Sequence, residues 1–115
     1  MELRINKRRG FLEITWQYVS SNSSKVNFVI ERAKEINQFE PIGKMIRNPC
    51  KNWYSFSDFD ILSDHYYYYR VLLRKGTYVF AYSRVASNMQ LKERKNFSLA
   101  VENILQRKVP LIGEF

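Results

Sequence analysis

One histidine, three nearby aspartates and one cysteine are the side chains with which this chain could do chemistry. His65 follows Asp64, and Asp58 and Asp60 lie just upstream. A base beside carboxylates is the raw material of acid–base catalysis, and the same groups can hold a metal. Neither reading has the rest of its parts. No nucleophile or second base stands at a recognisable spacing. A lone histidine cannot supply a zinc cluster. The aspartates lack the regular spacing and closing glutamate of a calcium loop, and read better as turn caps. Cys50, within Asn48-Pro49-Cys50-Lys51-Asn52, is the only cysteine. It excludes an internal disulfide and a cysteine-rich metal site. Ser20 to Ser24 has no Gly-x-Ser-x-Gly context, and the four glycines form no phosphate-binding loop. We therefore expect no enzyme, no catalytic residue, no cofactor and no metal.

Binding is the other chemistry on offer. Lys and Arg number 19 against 11 Asp and Glu, a net charge of +8. Such a balance suits acidic partners: nucleic acid, an anionic membrane surface or an acidic protein. The run Tyr66-Tyr67-Tyr68-Tyr69-Arg70 adds rings to the charge. Stacking rings in a basic groove is the physics of single-strand binding. Tyr66, Tyr68 and Arg70 would form the platform, with Arg74, Lys75 and Arg84 around it. The basic residues, however, spread over the whole chain, and no recognised nucleic-acid motif is present.

These residues need elements to position them. Content that is 45% hydrophobic and 16% aromatic argues for a packed domain rather than a disordered chain. No apolar run approaches the roughly 20 residues of a membrane helix. Met1 to Gly10 is basic and polar and reads as no intact signal peptide. Period-two alternation marks the strands. Leu3 and Ile5 alternate with cations, so a short edge strand could open the chain before Gly10 breaks it. Phe11 to Val19 puts Leu12, Ile14, Trp16 and Tyr18 on one face. Lys25 to Lys34 puts Val26, Phe28 and Ile30 on another. Phe39 to Ile46 contains Pro41, which suits only an edge strand. Trp53 to Phe59 turns Tyr54 and Phe56 inward. Tyr66 to Leu73 turns Tyr67, Tyr69, Val71 and Leu73 inward and Tyr66, Tyr68, Arg70 and Leu72 outward. Lys75-Gly76 makes a tight turn into a last strand, Tyr78 to Ala86, which closes a hairpin. About seven short strands with turns at short intervals is the pattern of an antiparallel β-sandwich.

The end of the chain changes period. Asn88 to Asn96 is polar and charged. Phe97, Ala100, Val101, Ile104 and Leu105 then recur at helical spacing over Phe97 to Lys108. Pro110 stops the pattern. A sandwich core is complete without this helix. Its apolar stripe must lie on its own sheet or in a partner's groove. We divide the chain into a sandwich, 1–87, and an extension, 88–115.

An ordered set of segments carries a family resemblance. They are Leu12-Glu13-Ile14-Thr15-Trp16, Phe28-Val29-Ile30-Glu31-Arg32-Ala33, Phe39-Glu40-Pro41-Ile42-Gly43, Tyr54-Ser55-Phe56-Ser57-Asp58 and Tyr67-Tyr68-Tyr69-Arg70-Val71, followed by Gly76 and Tyr82-Ser83. From about Gly10 to Ser87 the chain resembles a fibronectin type III domain, in the divergent form of bacterial surface and phage structural proteins. The resemblance implies an immunoglobulin-like sandwich. It makes Trp16 the core tryptophan and Tyr67 the tyrosine corner, its hydroxyl tied to backbone near Ile61. The chain departs from the family in its first strand, which lacks a proline-rich lead-in, in having no Arg-Gly-Asp, and in the extension after Ser87.

These readings lead to one expectation with two alternatives. The chain is expected to be a structural or adaptor subunit that contacts other proteins of a larger assembly, with a phage virion as leading context. Phe97, Val101, Ile104, Leu105, Arg8, Arg9, Tyr66, Tyr68 and Arg70 would carry the contacts, against acidic surfaces. It would work in the virion, or in the host cytoplasm during assembly. The alternatives are a single-stranded nucleic-acid-binding protein and a module of a bacterial secreted or cell-surface protein.

Overall fold

A computed structural model describes residues 1–20, 25–35 and 37–89. Eight strands run through them: β1 Leu3–Arg8, β2 Phe11–Gln17, β3 Asn27–Ala33, β4 Glu40–Ile46, β5 Trp53–Asp58, β6 Tyr68–Lys75, β7 Tyr78–Tyr82 and β8 Ala86–Ser87. They form two antiparallel sheets. The first has the order β1-β2-β5. The second has the order β4-β3-β6-β7, with β8 also on β6. The all-β sandwich expected from the alternation is the fold observed, and no helix occurs among the described residues. The helix expected over 97–108, with Phe97, Val101, Ile104 and Leu105, lies outside them, as do residues 21–24 of the Ser20 to Ser24 turn.

The sheets meet over the residues that alternation turned inward. Leu12, Ile14, Trp16 and Tyr54 come from the first sheet. Phe28, Ile30, Tyr69, Val71 and Leu73 come from the second, with Val26 and Tyr67 from the loops beside it. Trp16 is fully buried at the centre. Phe28 meets it edge-on at 5.5 Å and Tyr54 stacks on it at 6.0 Å. Aromatic pairs of this kind add about 0.5–1.5 kcal/mol each beyond their buried area. Gly43 of β4 lies against this core, where a Cβ would overlap the Phe56 ring. An alanine there would make the Phe56 ring shift. Gly10 has φ +86° in the β1–β2 turn and Gly76 has φ +60° in the β6–β7 turn. Only glycine takes that conformation without a Cβ penalty.

Two expected strands change most. The tyrosine strand starts at Tyr68 rather than Tyr66. Asn88 causes this: its Oδ1 accepts the Tyr67 N–H at 2.8 Å and its Nδ2 donates to the His65 carbonyl at 3.2 Å. Tyr66 and Tyr67 thus belong to the corner. The strand expected over Tyr78 to Ala86 is split at Ser83. The Ser83 hydroxyl, in place of a backbone carbonyl, accepts the Val71 N–H at 2.8 Å, while the Ser83 N–H still donates to the Val71 carbonyl. A β-bulge between Leu73 and Arg74 further twists this pair. The β1 strand, in turn, is a full edge strand paired along β2 from Leu3↔Trp16 to Arg8↔Phe11.

Candidate interaction surface on the second sheet

Two places in the sandwich gather polar chemistry, and they lie at opposite ends of β6. At the end where β6 begins, Arg32 of β3 reaches across to the first sheet. Its Nη1 donates to both carboxylate oxygens of Asp58, at 3.0 and 2.9 Å, and to the Asp60 carbonyl at 2.8 Å. The Tyr69 hydroxyl donates to the same Asp58 carboxylate at 2.7 Å, and the Asp60 N–H at 3.1 Å. Asp58 is 4% exposed. Alternation put it there: Asp58 continues the inward phase of Tyr54 and Phe56, and Arg32 that of Phe28 and Ile30. Burial works against the Arg32 charge, but the hydrogen bonds and charge of Asp58, helped by Asp60, outweigh it and raise its pKa. Burial, then Asp58, pushes the Tyr69 hydroxyl well above its usual range.

This bridge uses up the residues that looked most like a catalytic or calcium site. Asp58 is saturated by a guanidinium and a phenol. Asp60 leans on the same Arg32 at 3.4 Å, and Asp64 and His65 lie in an exposed turn, closed by the His65 N–H on the Leu62 carbonyl. No group of three metal-ligating side chains occurs among the described residues. Beside the bridge, the Tyr67 hydroxyl accepts the Leu62 N–H at 2.8 Å, one residue from where the resemblance placed that bond.

The outward face of β6 differs from the platform expected of it. Tyr66 is exposed in the corner, but Tyr68 is only 8% exposed. It packs with Ala33 and Met89, flanked by Phe39 and Val85. Period two placed Tyr68 outward correctly, yet a second apolar cluster covers that face, and burial raises the Tyr68 hydroxyl pKa. Arg70 is engaged as well. Its Nε donates to Glu31 at 2.7 Å, and its guanidinium lies over the rings of Phe39 and Tyr82 at 4.3 and 5.3 Å. Tyr66, Tyr68 and Arg70 therefore form no open stacking platform. Arg8 and Arg9 stand apart from them at the β1–β2 turn, exposed, with Arg8 paired to Glu13 at 2.9 Å.

Exposed rings beside cations are found instead on β7, while Trp53 and Phe59 are exposed elsewhere. Tyr78 is 68% exposed, and Phe80 and Tyr82 are also exposed. Arg74 and Lys75 lie at the end of β6 and Arg84 just beyond β7. No Asp or Glu occurs from Val71 to Met89. The Lys75 ammonium sits 5.2 Å over the Phe80 ring. Arg74 Nε is shielded from solvent and has no hydrogen-bond partner among the described residues. Beyond β7 no further strand pairs among the described residues. Sequence reading missed this hairpin as a site; its signal was the acid-free stretch combined with Tyr78, Phe80 and Tyr82 at alternate positions. An open cleft of about 310 Å³ lies elsewhere, lined by Thr15, Met45, Lys51, Trp53, Tyr54 and Ser55. The Tyr54 hydroxyl is already committed to the Asn48 and Lys51 carbonyls, both at 3.0 Å. Cys50 is exposed nearby.

No protein-family model and no curated protein matches the chain. Solved structures do resemble it. Pectate lyase Pel3 from Pectobacterium carotovorum aligns at TM-score 0.58 and 20% identity, over 77% of this chain and 26% of the lyase. Pectate lyase PelI from Erwinia chrysanthemi, solved with tetragalacturonic acid, aligns at TM-score 0.57 and 16% identity, over 76% of this chain and 27% of the lyase. The sixth fibronectin type III domain of a human fibronectin type III domain containing protein aligns at TM-score 0.54 and 15% identity, over 77% of this chain and 80% of that domain. The chain thus corresponds to about a quarter of each lyase and to most of an isolated fibronectin type III domain. At these identities the likeness is one of fold.

Proposed function

We propose that this chain is a non-enzymatic structural or adaptor subunit, a divergent fibronectin type III-like sandwich that holds other proteins in a larger assembly. A phage particle is the context we favour. One observation carries the reading: the β6–β7 hairpin presents exposed rings and three cations with no acid among them, whereas Arg32, Asp58 and Arg70 are consumed internally. A rim of rings and cations around an apolar patch is the composition of a protein-docking surface. The β1–β2 turn with Arg8 and Arg9 and the segment from Asn88 to Phe115 add further contacts.

The test is assembly itself. A photo-crosslinking residue at Tyr78 or Phe97, introduced into the native source, is expected to join this chain to one protein in constant ratio. Deleting Gln90 to Phe115, which leaves Asn88 and Met89 in place, is expected to reduce incorporation into that assembly. Unchanged incorporation, together with no protein crosslink at either position, overturns the reading.

Single-stranded nucleic acid is the second reading, favoured by the exposed Tyr78 and Phe80 beside Lys75. Phosphate contact would make affinity fall steeply with salt. The third reading is a module of a secreted or surface bacterial protein, favoured by the placement of a like fold within two pectate lyases. A longer reading frame around the natural gene would identify it.

A further inference from the structure

We infer that the outer edge of β7 receives an extended acidic segment of a partner protein by strand addition, with a carboxylate paired to Arg74. The inference rests on the protein-docking reading above and names the partner's chemistry.

Four sheet edges could accept a strand, and two carry a feature that hinders one. On β4, Pro41 removes a backbone donor. The start of β1 is engaged by the chain's own Arg84 N–H, which donates to the Met1 carbonyl. The outer edge of β5 is open as well, since the Tyr18 N–H bond to the Asn52 carbonyl only continues the β2–β5 ladder, but it runs into Asp58 and Asp60 rather than into cations. β7 has no proline, and its backbone groups away from β6 face no described strand. An unpaired strand edge is a template for main-chain hydrogen bonds.

The side chains choose the occupant. Arg74 is cross-strand from Val79 of β7, and its Nε is withdrawn from solvent with no acceptor among the described residues. A buried guanidinium donor left unpaired is costly, and a carboxylate is the group whose geometry best meets it. Lys75 and Arg84 extend the positive charge to both ends of the strand, and no acid from Val71 to Met89 offsets it. Two copies of this chain would bring cation against cation, and the bulge at Leu73/Arg74 blunts pairing with a flat identical strand. An acidic strand from a different protein meets neither obstacle. Tyr78 and Phe80 then flank its alternate side chains.

The experiment uses the full chain and a short fluorescent peptide alternating glutamate and valine. Anisotropy should report saturable binding. Two N-methylated versions, blocked at the glutamates or at the valines, should part: one set of N–H groups faces β7, so one version loses binding and the other keeps it. Arg74→Gln should weaken binding about tenfold, with the thermal midpoint checked to show that the sandwich is intact. Equal binding by both N-methylated peptides, no binding by the parent peptide, or stronger binding of a short oligothymidylate at the same edge would each overturn the inference. A protein crosslink at Tyr78 combined with peptide failure would remove strand addition and leave the adaptor reading standing.

Discussion

The two ends of β6 treat charge in opposite ways. Where the strand begins, Arg32 and Asp58 are drawn into the gap between the sheets and neutralise each other beneath Tyr69. Where it ends, Arg74 and Lys75 meet no acid among the described residues. The first arrangement ties the sheets together and leaves little for a ligand. The second leaves charge and rings outside and contributes little to the sandwich. The lesson is that phase on the strand decides whether a charge must be paired, and an outward charge is paired only where register brings it an acid, as Glu31 does for Arg70. Inward phase forces a charge to find a partner within the fold.

That contrast can be broken in order of effect. Asp58→Ala should be the most damaging change. It strands the Arg32 charge and the Tyr69 hydroxyl in a buried site, and should cost about 3–5 kcal/mol in urea unfolding. If the loss were as small as that of a hairpin substitution, the bridge would not be structural. Alkali should come next. Tyr69 holds its proton more tightly in the folded chain, so the stability it brings is intact below the unfolded-state pKa of about 10. Above that, the unfolded chain gives up the proton first and stability should fall by up to about 1.4 kcal/mol per pH unit. Tyr68 adds to the same slope. Tyr69→Phe should flatten it, as read from melts across a pH series.

Tyr67→Phe is a smaller perturbation at the same end. It removes the acceptor for the Leu62 N–H and should cost about 0.5–1.5 kcal/mol. At the other end, Tyr78→Ser and Lys75→Glu should leave unfolding within about 0.5 kcal/mol of the parent, because surface changes away from buried contacts seldom do more. The same two variants should reduce association with the native assembly. A large stability loss there would show that the hairpin, too, is structural.

Much of the sandwich could be read from the chain. Trp16, Phe28, Tyr54, Tyr69 and Val71 announce their faces by alternation, because a strand's side-chain period is set by local geometry. Pro41 announced an edge strand, and Gly76 a turn. The interaction surface was read less well. Period two puts Tyr68 on the outward face, but strand phase says nothing of what packs over a face, and Met89 covers it. Arg70 looked available until the register set it opposite Glu31. The β7 rings went unremarked because a sequence does not show which strand ends a sheet.

The sequence by itself determined the two faces of each strand, the glycine turns and the excess of positive charge, all of which depend on neighbours a few residues apart. Tertiary structure alone decided that Arg32 would meet Asp58 across the sheets, that Met89 would bury Tyr68, and that β7 would be an outer edge. Those outcomes join residues far apart in the chain. They are settled by which strands pair and how the sheets stack, and no local pattern encodes that choice.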